Sequence, residues 1–214
     1  VDNPILSCDV FADELTQLGV PPGRVSWLEM GLHDSPAKLR REVEATIARI
    51  EDANPRADSV LLAYGMCGNG LIGVQARRCQ LVLPRAHDCI SILLGGSRRH
   101  AEVLKEHPAT YFYSPGWIRG RRVPGPDREA AMREEFAARH PDDEELVEDL
   151  VEADRDTFAH HDCAAYVDFT GNQAAEEYCR QCASSLGWSF RRLQADDGML
   201  RALIDGDWAP ERFL

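Results

Sequence analysis

The sequence predicts an α/β protein in which helices flank a mostly parallel sheet. Two kinds of segment alternate along the chain: short apolar runs, such as Ser59–Ala63, and longer segments with apolar residues at helical spacing, such as Pro36–Ala53. A strand that reads as a continuous apolar run is typical of a parallel sheet covered on both faces. The alternation therefore favours a Rossmann-like arrangement, folded as a single domain over residues 1–214.

Local signals predict the individual elements in chain order. The predicted strands are 5–8, 25–30, 59–63, 80–83, 110–113, 164–169 and 188–193. The predicted helices outside 120–160 are 10–18, 36–53, a short helix between Gly70 and Gln80, 90–94, 98–106, 172–186 and 197–204. Ser35 as N-cap and Pro36 at the first helical position mark the start of helix 36–53. Gly19 and Gly187 end two other helices.

Residues 120–160 differ in composition from the rest of the chain. They open with arginines and prolines and then turn acidic, with nine carboxylates and a single arginine between Asp142 and Asp156. Narrow apolar stripes at helical spacing predict two helices, which form an insertion that docks by one face of each helix. The acidic run is either the solvated face of a helix or the surface of a lid or of a homodimer contact.

The charge balance excludes several classes of partner. The chain has 24 Lys and Arg residues against 36 Asp and Glu, a net charge of −12 that repels nucleic acids and anionic membrane surfaces. It has no apolar run that could cross a bilayer and no visible signal peptide, so a cytoplasmic protein is expected. Its two lysines, Lys38 and Lys105, lie in no GxxxxGKS or GxxxxGKT motif, so neither a P-loop nor a lysine Schiff base is expected.

Cysteine is the unusual residue of this sequence. The chain has seven, an odd number that argues against a disulfide framework in a cytoplasmic protein. Cys8 ends a predicted strand, Cys67 and Cys89 each follow one, and the carboxyl ends of parallel strands meet at one edge of the sheet. Three thiolates at that edge would hold zinc with one position open, or a 4Fe–4S cluster with one free iron. The alternative is that these cysteines are buried as small apolar residues.

Several other candidate residues also follow predicted strands. His33 and His87 are candidates for a fourth ligand or a proton carrier, and Asp88 for orienting or proton transfer. The backbone at Gly68, Asn69 and Gly70 is a candidate to hold an anionic group at a helix start, with the help of Arg85. Trp117, in a rigid turn, is a candidate to cap the pocket. The run from Gly68 to Gly73 also matches GxGxxG, so dinucleotide binding, with Asp88 on the ribose, is an alternative.

The other four cysteines carry weaker signals. Cys179 and Cys182 lie inside a predicted helix without a flanking glycine loop, which favours core packing over a redox pair. Cys79 begins a strand and is expected to pack. Cys163 follows His160, His161 and Asp162, which form either a metal site or a polar loop.

Several segments resemble a bacterial and archaeal family catalogued as domain of unknown function 1638. The resemblance is carried by the segments ILSCDVFADEL, GLHDSPAKL, LLAYGMCGNGL, PRAHDCISILLGGS, TYFYSPGW and GDWAPERFL. It covers nearly the whole chain and includes Cys8, His33, Cys67, Gly68, Asn69, Gly70, His87, Asp88 and Cys89. Members of the family are often encoded beside corrinoid-dependent methyltransferases for methylated amines. The resemblance therefore implies a place in one-carbon metabolism and a corrinoid methyltransferase as a partner.

The leading hypothesis is a metal–thiolate protein of one-carbon or methylated-amine metabolism. Cys8, Cys67 and Cys89 would hold the metal, and the protein would act on a small anionic methylated or thiol substrate, as a zinc- or iron–sulfur-dependent transferase or lyase. A second hypothesis is a carrier that delivers a metal or cofactor to a corrinoid methyltransferase without turnover. A third is a 4Fe–4S redox enzyme or a nucleotide-dependent enzyme.

Overall fold

The computed structural model describes residues 2–121 and 123–214 as a mixed α/β structure. Its strands are β1 Ile5–Cys8, β2 Val25–Leu28, β3 Ser59–Ala63, β4 Gln80–Val82, β5 Thr110–Tyr113, β6 Cys163–Asp168 and β7 Ser189–Gln194. Its helices are α1 Ala12–Gln17, α2 Pro36–Ala53, α3 Cys89–Leu93, α4 Ser97–Glu106, α5 Pro115–Arg119, α6 Pro126–Arg139, α7 Glu144–Asp156, α8 Gln173–Leu186 and α9 Gly198–Asp205. The predicted α/β alternation with parallel strands is thus confirmed.

The chain forms two compact units. The first unit runs to Glu102 and resumes at Gln194–Leu214, and the second comprises Val103–Leu193. Each unit has its own sheet, so the strands do not form the single sheet that the alternation suggested. The single domain predicted over residues 1–214 stays a prediction. Two compact units can still fold and unfold together.

The first unit is built on a parallel four-stranded sheet. Its strand order is β2-β1-β3-β4, with Ile5 of β1 paired to Val25 on one side and to Leu61 on the other. Every residue of β1 and β3 is buried, as their apolar sequences predict for central parallel strands. The central strands therefore end within the interior, and the loops that follow them form the carboxyl edge of the sheet.

Helix α2 spans the predicted residues 36–53. Its apolar residues at helical spacing are buried and form one face: Leu39, Val43, Ile47 and Ile50. Pro36 occupies the first helical turn, where its missing N–H costs nothing. Ser35 precedes it, but its side chain makes no capping hydrogen bond. The burial of the apolar face, together with proline, therefore defines this helix without the predicted cap.

The last residues of the chain pair with the segment that follows β4. Leu83 and Leu214 exchange two backbone hydrogen bonds, and the Arg85 N–H donates to the Arg212 carbonyl at 2.7 Å. The Arg85 side chain donates from Nε to the carbonyls of Pro210 and Phe213. Residues 83–85 are thereby fixed at the start of the loop that leads to α3.

The second unit contains the predicted helical insertion as α6 and α7. Its sheet has the strand order β5-β6-β7, and β5 and β6 are parallel. A buried apolar cluster includes residues of this sheet and of α8, among them Tyr113, Tyr166, Cys179 and Cys182. Helices α6 and α7 are joined by a half-buried bidentate pair, in which Arg128 donates to both oxygens of Asp154 at 2.6 and 2.8 Å. Two helices were predicted between 120 and 160, and both are present.

One predicted element is wrong. The segment between β3 and β4 contains turns and no helix, although a short helix was predicted after the glycines at 68–73. Successive positive φ angles at Cys67, Gly68 and Asn69 explain the difference, because a right-handed helix cannot begin through left-handed residues. Among the described helices, none is long and apolar enough to cross a membrane.

A buried carboxylate holds the start of β4 against α2. Glu51 of α2 accepts backbone hydrogen bonds from Arg77, Arg78 and Cys79, and an ion pair from Arg77 Nε at 3.0 Å. The N–H groups of Cys79 and its neighbours, with the guanidinium of Arg77, lower the pKa of Glu51 from 4.5 to about 2. The interaction therefore stabilises the fold only while Glu51 is ionised.

We predict that Glu51→Gln removes an acid-dependent part of the stability. Because the pKa of Glu51 falls from 4.5 to about 2 on folding, this contribution is complete above pH 4.5 and is lost as the pH falls towards 2. Urea unfolding at pH 7 should therefore show a less stable variant, and the difference from wild type should shrink towards pH 2. The control is Glu29→Gln, which breaks an exposed pair with Lys38 and should change little. A difference from wild type that is independent of pH would contradict the assignment.

Candidate functional site

Three thiols from separate segments meet at the carboxyl edge of the first sheet. Cys8 is the last residue of β1, Cys67 lies in the loop after β3, and Cys89 is the first residue of α3. The surroundings of the Cys89 thiol include the thiols of both Cys67 and Cys8, which act on its pKa. The structure thus brings together the three cysteines that the sequence analysis selected, with Cys89 at the centre.

Two backbone hydrogen bonds hold the loops that carry two of these thiols. The N–H groups of Met66 and Cys67 donate to the carbonyls of Ala86 and His87 at 3.0 and 3.1 Å. Gly65 makes this pairing possible, because a Cβ there would lie 2.5 Å from the Cα and carbonyl carbon of Asp88. The approach of the two main chains therefore sets the distance between Cys67 and Cys89.

The thiols differ in their protonation. The hydrogen bond from Cys89, the Val10 N–H and the Tyr64 hydroxyl lower the pKa of Cys8, although burial and Asp9 oppose them. The hydrogen bonds with Cys67 and Cys8, together with burial, raise the pKa of Cys89 well above its usual value. The Cys8 thiol therefore ionises more readily than the Cys89 thiol.

The cluster is covered on most sides. Cys8 and Cys89 are each 5% exposed, whereas Cys67 is half-buried. Cys67 also has φ +43°, a left-handed conformation that costs a non-glycine residue energy and is typical of functional loops. A small molecule would therefore reach the sulfur atoms from the side of Cys67.

Tyr64 is a member of the site to which sequence reasoning assigned no role. Its ring is 2% exposed, and among the described residues its hydroxyl makes no hydrogen bond of ordinary geometry. The hydroxyl lies beside Cys8, and burial followed by the charges of the three cysteines raises its pKa. Its position directly after β3, three residues before Cys67, was the available signal.

His87 and Asp88 flank the cluster rather than enter it. His87 is 77% exposed, and its Nδ1 lies 3.0 Å from Asp88 Oδ2. Asp88 Oδ1 accepts hydrogen bonds from the backbone N–H and hydroxyl of Ser91, so Asp88 is the N-cap of α3. Burial raises the pKa of Asp88, but the hydrogen bonds from His87 and Ser91 outweigh it and lower the pKa overall. Asp88 thus stays ionised and fixes the helix that begins with Cys89.

The other predicted site residues lie in different surroundings. His33 Nε2 is 3.4 Å from Asp34, its neighbour in a short 3-10 turn. Arg85 binds the carbonyls of the chain's last residues, which leaves the predicted anion contact unsupported. Trp117 belongs to the second unit, where it packs against the cluster that covers the sheet.

The glycine run does not form a phosphate-binding helix start. Gly68 and Asn69 are exposed, whereas Gly70 is buried and a Cβ there would lie 2.6 Å from a methyl carbon of Leu39 on α2. No helix follows these residues before β4, so neither the predicted anion site at a helix start nor a GxGxxG dinucleotide site has its required helix. Gly70 instead allows the loop to pack against α2.

The remaining cysteines are buried. Cys179 and Cys182 lie in the core of the second unit, and burial raises the pKa of both, so they pack as protonated thiols, as predicted. Cys79 is also buried, with its thiol 3.2 Å from the Ala57 carbonyl. Cys163 is buried at the start of β6. In residues 2–121 and 123–214, no group of three or more His, Cys, Asp or Glu side chains is arranged as a metal-ion site.

The second unit has a cavity of about 490 Å³. Phe158 and Trp188 form part of its wall, together with the ion pair between Arg128 and Asp154. None of the predicted site residues lines it. The cavity is therefore a feature separate from the cysteine cluster.

The fold and the site define an α/β protein with three clustered cysteines at the carboxyl edge of a parallel sheet. Residues 27–204 match the family described as Protein of unknown function (DUF1638), so the chain belongs to that family. No curated protein and no solved structure matches the chain. Cys67 and Cys89 lie within the matched residues, and Cys8 precedes them.

We predict that Gly65→Ala separates the cysteines of the cluster, although Gly65 itself carries no thiol. The added methyl group would overlap the Asp88 main chain, so the two loops must separate, at a cost of about 1–3 kcal/mol in unfolding free energy. Cys89 should then react faster with a thiol-alkylating reagent in the folded protein. Gly23→Ala, which meets nothing within 4 Å, is the matched control. Unchanged stability and unchanged Cys89 labelling in Gly65→Ala would show that the close approach is not required.

Proposed function

We propose that Cys8, Cys67 and Cys89 bind a single soft metal ion, zinc, and leave one coordination position open. The observation that supports this is the proximity of Cys89 to both other thiols, which come from three separate segments. Soft thiolate ligands select zinc among the common divalent ions, and three protein ligands with an open fourth position are typical of reactive zinc sites. Their proximity in the folded chain lowers the cost of assembling the site.

One ion is the simpler occupant of three thiolates. Sulfur ligands of a tetrahedral zinc, with Zn–S bonds of about 2.3 Å, lie about 3.8 Å apart. In an iron–sulfur cluster each cysteine binds a different iron, so its cysteines stand farther apart. Binding by Cys8, Cys67 and Cys89 requires removal of their protons and rearrangement of their side chains, because no group in the described residues is already arranged as a metal-ion site.

A zinc with three thiolates and one open position lowers the pKa of a bound thiol or water. The protein would supply the surroundings for this chemistry. The half-buried Cys67 borders the side open to a small thiol or anionic substrate. His87, whose carbonyl binds the Cys67 N–H, has an exposed ring oriented by Asp88 and is the candidate to take up the substrate proton. The activity would thus be thiol or methyl-group transfer.

A metal carrier is the second candidate. Its supporting observation is the exposure of Cys67, because an ion reached by solvent can be transferred to a partner by ligand exchange. The corrinoid methyltransferase and the one-carbon metabolism implied by the family resemblance remain predictions about that partner. An enzyme should turn over a small thiol with bound metal, whereas a carrier should lose its metal to the partner without turnover.

Metal analysis of the purified chain tests the proposal. Anaerobically purified protein should contain about one zinc per chain, and Cys8→Ser, Cys67→Ser and Cys89→Ser should each lower zinc affinity by at least tenfold. Cys79→Ser, Cys179→Ser and Cys182→Ser are matched controls and should retain zinc, because these cysteines pack elsewhere.

Three results would contradict a zinc site at these cysteines. One is a protein that neither contains zinc nor binds it when zinc is added under reducing conditions. The second is zinc that survives all three substitutions. The third is a brown protein with iron and sulfide in equal amounts, which would replace zinc by an iron–sulfur cluster.

A further inference from the structure

The cavity of the second unit has the size of a small-molecule site. Its volume of about 490 Å³ lies within the range of about 300–1,000 Å³ that is typical of pockets for organic ligands. Residues of α6, of α7 and of the end of α8 line it, together with the segments next to these helices. All the lining residues belong to the second unit, so the cavity is formed within one compact unit.

Aromatic rings and aliphatic side chains form part of the lining. Phe158 and Trp188 supply two rings, and Val151 and Leu186 are among the aliphatic residues. The guanidinium carbon of Arg128 lies 5.1 Å from the centroid of the Phe158 ring, so the chain itself places a cation against one of the two rings. In the described part of the chain, no arginine or lysine lies over the half-buried Trp188 ring, although indole attracts cations more strongly than phenyl does.

The charges of the lining leave one carboxylate without a partner. Arg128 pairs with Asp154 at 2.6 Å, and all four members of this pair and the next line the cavity. Arg155 pairs with Glu129 at 2.8 Å. Asp156, the last residue of α7, also lines the cavity, and its carboxylate has no ion pair among the described residues. The lining thus has three carboxylates against two guanidinium groups, and its unpaired charge is negative.

The position of Asp156 is unfavourable for its own helix. Carbonyl groups at the carboxyl end of a helix carry partial negative charge, so a carboxylate in the last turn does not stabilise the helix. In the same turn, Asp154 is compensated by the guanidinium of Arg128, whereas Asp156 has no such compensation in the described residues. A cation in the cavity would supply it.

We propose that this cavity binds an organic cation with an apolar body. An anion would meet the Asp156 carboxylate, while both arginines of the lining are already paired. A small hydrophilic cation would leave the aromatic and aliphatic part of the lining uncovered. The net charge of −12 on the chain also attracts cations. The inference is independent of the proposed metal site, because none of its three cysteines lines the cavity.

Berberine is the probe, because it is a flat aromatic cation whose fluorescence rises in apolar surroundings. Titrated into the chelator-treated chain, it should bind saturably at one site per chain. Anilinonaphthalene sulfonate, an aromatic anion of similar size, should bind about tenfold more weakly, because attraction to a carboxylate becomes repulsion. Spermidine, a cation without rings, should not displace berberine at equal concentration.

The decisive variant is Ala159→Phe, which fills the cavity and removes no side-chain contact. Ala159 is exposed and lines the cavity, so the larger side chain should abolish saturable berberine binding while the protein stays folded by circular dichroism. The matched control is Ala153→Phe, because Ala153 is exposed on α7 and does not line the cavity. This control should bind berberine like wild type.

Two further variants test the charge and the ring. Asp156→Asn should weaken berberine binding about threefold at low salt and less at high salt, whereas Asp149→Asn, on the same helix outside the cavity, should not. Trp188→Ala should weaken it about tenfold, with the exposed Trp27→Ala as control.

Four results would overturn the inference. The first is the absence of saturable berberine binding, and the second is equal affinity for the aromatic anion. The third is displacement of berberine by an equal concentration of spermidine, which would assign the dye to the acidic surface. The fourth is wild-type affinity in Ala159→Phe, because the dye would then bind outside the cavity.

Discussion

The candidate site depends on the pairing of two loops through their main chains. The N–H groups of Met66 and Cys67 bind the carbonyls of Ala86 and His87, and this pairing brings Cys67 to Cys89. It requires the absence of a side chain at Gly65, where the main chain of Asp88 takes the space of a Cβ. The chemistry proposed for the cysteines therefore rests on backbone contacts that involve no sulfur atom.

The residues around the thiols divide into those that build the site and those that respond to charge. Asp88 caps the helix that begins with Cys89, so its first effect is structural even though it also orients His87. Cys8 responds to charge, because its surroundings lower the pKa of its thiol. A metal ion bound there would replace the thiol protons.

Apolar periodicity predicted most of the fold but not its division into units. Burial of whole faces left clear patterns, as in β3 and α2, and their predicted bounds agree with the structure. The convergence of Cys8, Cys67 and Cys89 followed from one rule, that parallel strands end at a common edge. The sequence does not report which strands share a sheet, so Trp117 was placed at a site that its unit does not contain. It also did not show that the Arg85 side chain binds backbone carbonyls, since these come from residues more than a hundred positions away.

The most direct test of the central claim is X-ray absorption spectroscopy at the zinc edge of the zinc-loaded chain. The account predicts a single zinc ion with three sulfur atoms at about 2.3 Å and one lighter atom, oxygen or nitrogen, at about 2.0 Å. A shell of oxygen and nitrogen atoms alone would contradict it, because the ion would then be bound outside the cysteine cluster. Four sulfur atoms would contradict the open position, since the ion would be closed to substrate.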